Sequence, residues 1–238
     1  MSDEAAVSRF APELVAGLDE LVRRYFTHAI RDGAPLASRF RFTMDGRIKV
    51  GGLWLPFTAE QESDRASFVW TARVGIGSLT VLRVTDRYTE GAGLTEGRLF
   101  GRRTLFRGED DDTTRSSAGR AALEACAFAP TTLLPQFGVS WRAEDAELIV
   151  ASWELPPERP DVRLRIDRDG ALRALSVERW GRRDTPDHRY IPCGGDVHAE
   201  RCFGLFTVPS RLTVSWWHGT ARRAPFFKAQ LRDFGPAR

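Results

Sequence analysis

The chain has 238 residues, of which 42% are hydrophobic and 28% charged, and its formal net charge is +3. This balance is ordinary for a soluble globular protein, and no apolar run reaches the ~18 residues that a membrane-spanning helix needs. Nearly all the basic residues are arginines scattered along the chain, whereas nucleic-acid binding requires a clustered basic face. The composition therefore argues against a membrane span and against a nucleic-acid partner.

The N-terminal residues and the cysteines indicate the cellular compartment of the protein. The opening residues, MSDEAAVSRFAPELV, are acidic and lack the apolar segment of a signal peptide. Cys126, Cys193 and Cys202 are odd in number and irregularly spaced, which does not fit a secreted disulfide framework. We expect reduced thiols and a cytoplasmic location.

The first predicted element is an amphipathic helix within an N-terminal segment, residues 1–35. Apolar residues recur at helical spacing from Leu14 to Ile30. Pro12 suits the first turn, and Gly33 ends the helix. A helix of this kind is expected to pack on a sheet.

Residues 36–115 are predicted to form the first strands, because the apolar period changes to two after Leu36. Asp45-Gly46 predicts a tight hairpin turn between alternating runs. The Gly-rich segment Gly91–Gly93 predicts another turn. Further strands are predicted at Trp54–Gln61, Ser67–Val74, Leu79–Val84 and Arg98–Phe106.

The Ala-rich segment Ser116–Phe128 interrupts this pattern and predicts a central helix in residues 116–135. Ser116 suits the cap position, and Arg120 and Glu124 have the spacing of a helical ion pair. The remaining strands are predicted in residues 136–238, with a second tight turn at Asp169-Gly170. They are Gly138–Arg142, Ala146–Leu155, the run around Val162–Ile166, Ala171–Trp180, two strands in Ile191–Thr220 joined at Gly204 and Pro209, and Phe226–Phe234.

Roughly ten antiparallel strands and two helices predict one α+β, mostly β domain over residues 1–238. A sheet this wide usually curls, and its concave face must then be filled. The expected architecture is a single strongly curved antiparallel sheet, with an N-terminal helix and the central helix on the concave side. It resembles the half-barrels of bacterial lipoprotein carriers, which is an analogy of fold and not of function.

Motifs along nearly the whole chain resemble those of a bacterial domain-of-unknown-function family. The signature E-R-x-F-G-x-x-T-x-P-S-R occurs at Glu200–Arg211. Leu205 stands where that family usually has a second glycine, and Cys193 where an aromatic residue is expected. The resemblance implies no particular activity. The other matching motifs are Val22–Ala29, Gly46–Gly51, Trp54–Gln61, Phe68–Val74, Ser117–Arg120, Leu133–Pro135, Arg179–Gly181 and Phe226–Ala229.

His198 and Glu200 are the candidate catalytic pair. Two residues apart on a strand, they are predicted to share one face, where the carboxylate would orient the imidazole and raise its pKa. The alternative is a polar pair on the solvated face. His188, Cys193, His198 and Cys202 could suggest zinc, but His198 and Cys202 would be ~13 Å apart in an extended strand. We therefore expect no metal site.

Other residues are candidates for contacting a ligand. Tryptophan offers a large apolar area with one donor, although core packing is the simpler role for most of the seven. A guanidinium at a strand end can hold an anionic group. A Glu60 side chain facing inward would be a buried carboxylate, whereas facing outward it would pair with an arginine. The candidates are Glu60, Trp70, Asp86, Tyr88, Trp141, Arg179, Trp180, His188 and Trp216.

No motif for a cofactor, a nucleophilic serine or a catalytic metal occurs in the sequence. The leading prediction is a protein that binds a largely hydrophobic small molecule in the cupped sheet, without a cofactor. The alternative is a cofactor-independent enzyme, such as an isomerase, cyclase, lyase or hydrolase, that uses acid–base residues in the same cavity. A third class is an interaction module that uses the sheet edge or the first helix.

Overall fold

The computed structural model describes residues 8–76 and 79–237. These ranges contain thirteen strands, which form one antiparallel sheet. The strands are β1 (Phe40–Val50), β2 (Leu53–Ser63), β3 (Phe68–Ile76), β4 (Leu79–Thr89), β5 (Ala92–Leu99), β6 (Arg103–Gly108), β7 (Ser140–Ala143), β8 (Leu148–Ser152), β9 (Asp161–Ile166), β10 (Leu172–Gly181), β11 (Arg189–Phe203), β12 (Phe206–Trp216) and β13 (Ala224–Pro236).

The sheet consists of two blocks of neighbouring strands. The first block runs from β6 at one edge to β1, and the second from β13 to β7 at the other edge. The blocks join where β1 pairs with β13, between Phe40↔Pro236 and Ile48↔Phe227. The first and last strands of the sheet in chain order therefore hold its two halves together.

The central helix α2 (Asp111–Phe128) carries the chain from β6 at one edge toward β7 at the other. It contacts β5 near the first edge and also β10 and β9 near the second. Across a flat sheet, β5 and β10 would be roughly 40 Å apart, yet a helix with its side chains is only about 10–12 Å wide. The sheet therefore curls around α2. This confirms the predicted open, strongly curved antiparallel sheet with the central helix on its concave side.

The helix α2 begins five residues before the predicted start. Asp110 is its cap, because the Asp110 carboxylate accepts a hydrogen bond from the Thr113 backbone N–H at 2.8 Å. The first turns are polar and carry no apolar periodicity, so the sequence pattern showed only the later, Ala-rich part. Small buried residues let the helix lie close to the sheet, and they include Ala118, Ala121, Ala122 and Ala125.

The N-terminal helix is shorter than predicted. A 3₁₀ turn at Pro12–Val15 is followed by a break around Gly17, and α1 spans Glu20–Ala29. A glycine inside a helix costs about 1 kcal/mol relative to alanine, which favours a break there. α1 buries Tyr25 and Phe26 against Trp141, at ring-centroid distances of 5.5 and 5.1 Å. In the described ranges, no helix is long and apolar enough to cross a membrane.

The hairpin turn predicted at Asp45-Gly46 is wrong. β1 continues through both residues, and the turn lies at Gly51-Gly52, where both glycines have positive φ. Gly46 serves a different purpose, because a Cβ there would lie 1.9 Å from the Lys228 carbonyl oxygen. β13 approaches β1 so closely at this point that only glycine fits.

Other predicted turns are closer to the structure. The turn at Asp169-Gly170 is confirmed, and β9 and β10 flank it. β11 and β12 meet at Gly204-Leu205, whereas Pro209 lies inside β12. The predicted strand Arg98–Phe106 is wrong, since it comprises the end of β5, a turn and the start of β6.

Candidate functional site

A cavity of about 530 Å³ lies between α2 and the concave face of the sheet. Its lining extends along the helix from Asp112 to Phe128, a length of roughly 24 Å at 1.5 Å per residue. The cavity is therefore elongated and runs beside the helix. The sheet wall is mainly apolar and includes Met44, Ile48, Leu212, Val214, Phe226, Phe227, Ala229 and Leu231.

One side of the cavity carries an ion cluster centred on Arg120 of α2. Its guanidinium contacts the Asp86 carboxylate at 2.5 Å and the Glu124 carboxylate at 2.7 Å. Burial opposes the positive charge, but Glu124 and Asp86 outweigh this effect and keep the pKa of Arg120 above its ordinary value. The guanidinium also lies 4.5 Å from the Phe68 ring centre and 5.0 Å from that of Trp70. The cluster thus joins α2 to β3 and β4.

Two buried polar atoms beside this cluster have no hydrogen-bond partner among the described residues. Gln61 donates from its amide nitrogen to Glu124 at 2.5 Å, while its amide oxygen is unpaired. The indole N–H of Trp70 is also unpaired. Gln61 and Trp70 are register partners on β2 and β3, and both line the cavity. The wall therefore carries a free acceptor on β2 and a free donor on β3.

The open end of the cavity lies at the start of α2 and just after β10, where Arg182 and Arg183 are exposed and yet contribute to the lining. Arg179 projects from β10 into the same end and donates from Nε to the Ser116 carbonyl oxygen at 2.9 Å. We call Arg179 and Arg183 the arginine pair. His188 also lines this end, 3.1 Å from the Asp112 carboxylate.

The structure brings four of the predicted ligand contacts to the cavity lining: Trp70, Asp86, Arg179 and His188. Two others lie directly behind it. Trp180 donates its indole N–H to Asp112 at 2.7 Å, and Trp216 stacks on the lining residue Phe226 with ring centres 6.0 Å apart.

Three predicted ligand contacts are outside the lining. Glu60 is exposed and pairs with Arg41 at 2.9 Å, which settles the orientation that the sequence left open. Trp141 packs under α1 and donates to the Leu133 carbonyl oxygen at 2.9 Å. Tyr88 donates to the Pro156 carbonyl oxygen, and burial raises the pKa of the Tyr88 phenol to about 12. These three side chains have structural roles.

His198 and Glu200 do not share a partner, because β11 is irregular between Val197 and Glu200. The exposed His198 contacts the Thr213 hydroxyl at 2.9 Å. Glu200 instead contacts His28 of α1 at 2.9 Å and accepts from the Leu172 backbone N–H at 3.2 Å. The expectation that spacing alone places the pair on one face is wrong. Neither residue lines the main cavity.

The pair that does form, His28 and Glu200, predicts a pH effect on stability. The hydrogen bond that the His28 imidazole donates to the Glu200 carboxylate raises the pKa of His28 above its ordinary value of 6.5. A raised folded-state pKa stabilises the protein fully below pH 6.5, and this contribution is lost as pH rises through the folded-state value. Urea unfolding from pH 5.5 to 9 should show a loss on the order of 1 kcal/mol that is absent in His28→Gln and in Glu200→Gln. Wild-type pH dependence in His28→Gln would contradict this assignment.

Sequence reasoning missed the ion cluster as a cavity feature. The spacing of Arg120 and Glu124 predicts a helical ion pair, but Asp86 and Gln61 reach these two residues from strands of the sheet. Asp86 lies on β4 and Gln61 on β2, so spacing along α2 alone could not reveal the cluster. Among the described residues, no three His, Cys, Asp or Glu side chains come together as a metal site.

The chain belongs to the DUF6920 family, a family of unknown function, which matches residues 16–234. No curated protein matches it. Among solved structures, a DUF1329 family protein from Desulfovibrio piger is similar at 7% identity and a TM-score of 0.47, covering 83% of this chain and 85% of that one. A LolA superfamily protein from Nitrosomonas europaea is similar at 5% identity and a TM-score of 0.49, covering 92% of each chain. These likenesses describe backbone architecture and not what this chain binds.

Proposed function

We propose that this protein binds a largely hydrophobic small molecule in the cavity between α2 and the curled sheet. The observation that supports the proposal most directly is the cavity itself, whose volume of about 530 Å³ falls within the range of small-molecule sites. Its sheet wall is mainly apolar, and a few polar groups are placed along one side and at the open end. Such a site gains affinity from apolar burial and specificity from its few polar contacts.

The acid–base enzyme alternative gains no specific support from the geometry. Asp86 and Glu124 both pair with Arg120, and His188 contacts Asp112. The carboxylates and the imidazole at the cavity are therefore engaged with neighbouring side chains. Binding is the function that this arrangement favours.

Filling the cavity tests the proposal. Val214 is half-buried on β12 and lines the cavity, so Val214→Trp should place an indole in the space that the ligand needs. With the neutral fluorophore N-phenyl-1-naphthylamine as probe, we expect wild type to bind with enhanced fluorescence. The variant should bind at least about tenfold more weakly, which corresponds to a loss of about 1.4 kcal/mol.

The matched control places the same side chain on the other side of the same strand. Arg211 is exposed and does not line the cavity, so Arg211→Trp should bind the probe like wild type. Circular dichroism melting would establish that both variants are folded. Equal probe binding by wild type and a folded Val214→Trp variant, or no binding by wild type, would overturn the proposal.

A further inference from the structure

The arginine pair has no counter-charge of its own. No carboxylate of the described residues lies within ion-pair distance of Arg179 or Arg183, although many other arginines of the chain are paired. The nearby carboxylates are engaged elsewhere. Asp110 caps α2, Asp112 contacts Trp180 and His188, and Asp184 binds Arg189 and Arg222.

Both guanidiniums lie against one buried indole. The guanidinium carbon of Arg183 is 4.3 Å from the Trp216 ring centre, and that of Arg179 is 5.0 Å from it. Trp216 is only 3% exposed, so it is a rigid base for the two charges. Gly181 permits this packing, since a Cβ there would be 3.0 Å from the Trp216 ring. The fold therefore holds two like charges against one ring at the open end of the cavity.

This arrangement has an electrostatic consequence. Much of the Arg183 side chain is exposed, but its guanidinium lies against Trp216. This partial desolvation, together with the neighbouring charge of Arg179, lowers the pKa of Arg183, whereas ion pairing raises the pKa of Arg115 and Arg120. Two guanidiniums without a carboxylate partner repel each other, and an anion that binds to both would reduce that repulsion. Carboxylate and phosphate groups match the planar fork of the guanidinium, which can bind either through two parallel hydrogen bonds.

The shape and lining of the cavity indicate what the rest of the ligand is. From the arginine pair, its lining runs along α2 to Leu123, Ala127 and Phe128, and the opposite wall there includes Met44 and Leu231. These residues form an apolar inner end. We propose that the ligand is an amphipathic anion, with a carboxylate or phosphate head group bound by Arg179 and Arg183 and an apolar chain lying beside α2. This inference rests on the proposed function and specifies the ligand class of the same cavity.

The test compares ligands that share a twelve-carbon chain and differ in the head group. Dodecanoate, dodecyl phosphate and dodecan-1-ol are each used to displace N-phenyl-1-naphthylamine from the protein, and inorganic phosphate alone is a fourth competitor. We expect one or both amphipathic anions to bind about tenfold or more tightly than the alcohol, as a charge-assisted hydrogen bond provides. The two anions distinguish a carboxylate head group from a phosphate.

Substitutions test whether Arg179 and Arg183 cause the preference for anions. Arg183→Gln and Arg179→Gln should each lower the affinity for the anions relative to the affinity for dodecan-1-ol. Arg183→Lys should retain part of this preference. The control is Arg173→Gln. Arg173 lies on β10, as Arg179 does, but its guanidinium is exposed and pairs with Asp167, so this variant should behave like wild type. Arg183 is exposed just after β10, so its replacement is not expected to prevent folding.

The outcomes separate this inference from the proposed function. If the probe and the alcohol bind but the anions bind no better, the head-group assignment is wrong and the hydrophobic cavity stands. If inorganic phosphate competes as well as dodecyl phosphate, the arginine pair binds a free ion and the amphipathic ligand is wrong. If the anion preference survives in both glutamine variants, the arginines do not bind the head group. If no probe binds at all, the proposed function itself fails.

Discussion

Replacing Arg120 by methionine is expected to lower the free energy of unfolding by about 3–5 kcal/mol. The substitution keeps much of the side-chain volume but leaves Asp86 and Glu124 beside each other without their shared cation. Their side chains are only 22% and 20% exposed, so water cannot fully replace the guanidinium. Removing one partner of a buried ion cluster is costly because the remaining charges stay desolvated. Urea unfolding at pH 7 measures the change.

The control for this prediction is an arginine whose ion pair is exposed. Arg165 pairs with Glu147 at 2.9 Å, with side chains 52% and 63% exposed. Arg165→Met should change stability by less than about 1 kcal/mol, because exposed ion pairs contribute little. If Arg120→Met were as mild as Arg165→Met, the cluster would be solvated rather than buried, and its role in joining α2 to the sheet would be wrong.

Replacing Gly46 by alanine is expected to destabilise the protein by about 3 kcal/mol, at the upper end of the cost of overpacking. The new Cβ would meet the Lys228 carbonyl oxygen at 1.9 Å and the Ala229 Cα at 3.0 Å. Both obstacles are backbone atoms, so no side-chain rotation can relieve the clash. Because Gly46 lies where β1 pairs with β13, the strain falls on the junction between the two halves of the sheet. Thermal and urea unfolding would show the loss.

A second glycine of the same junction serves as the control. Gly235 on β13 pairs with Arg41 on β1, and a Cβ there would meet no atom within 4 Å. Gly235→Ala should therefore be neutral or stabilising by less than about 1 kcal/mol, since it reduces the freedom of the unfolded chain. Similar destabilisation by both substitutions would show that the close approach of Lys228 is not the cause.

The cavity residues illustrate how far sequence reasoning reached. Trp70, Asp86, Arg179 and His188 were expected to contact a ligand, and all four line the cavity. Residue type suggested them, because large aromatic rings and charged groups near strand ends are the side chains that small-molecule sites use, and their contact with a ligand stays a prediction. Gln61, Arg120 and Glu124 were not included, since their contribution depends on contacts among β2, β4 and α2.

Glu60 and Glu200 show why the remaining assignments failed. Alternation along a strand tells which residues share a face, but not which face is concave, and Glu60 points outward to Arg41. A register shift within a strand also interrupts the alternation of its side chains between the two faces of the sheet. β11 has register shifts on both sides of Ala199, so Glu200 meets α1 while His198 contacts Thr213.

By itself, the sequence determined the fold class, because the period of apolar residues and the Ala-rich run before Pro130 are local properties of the chain. Only the tertiary structure decided the position of the first hairpin turn and the residues that line the cavity. Gly46 looked like part of a turn, yet it is the point where β13 passes close to β1. Arg120 looked like half of a helical ion pair and no more, yet it also lies in the cavity wall and binds Asp86. Both outcomes depend on contacts between segments far apart in the chain, which form only when the sheet curls around α2.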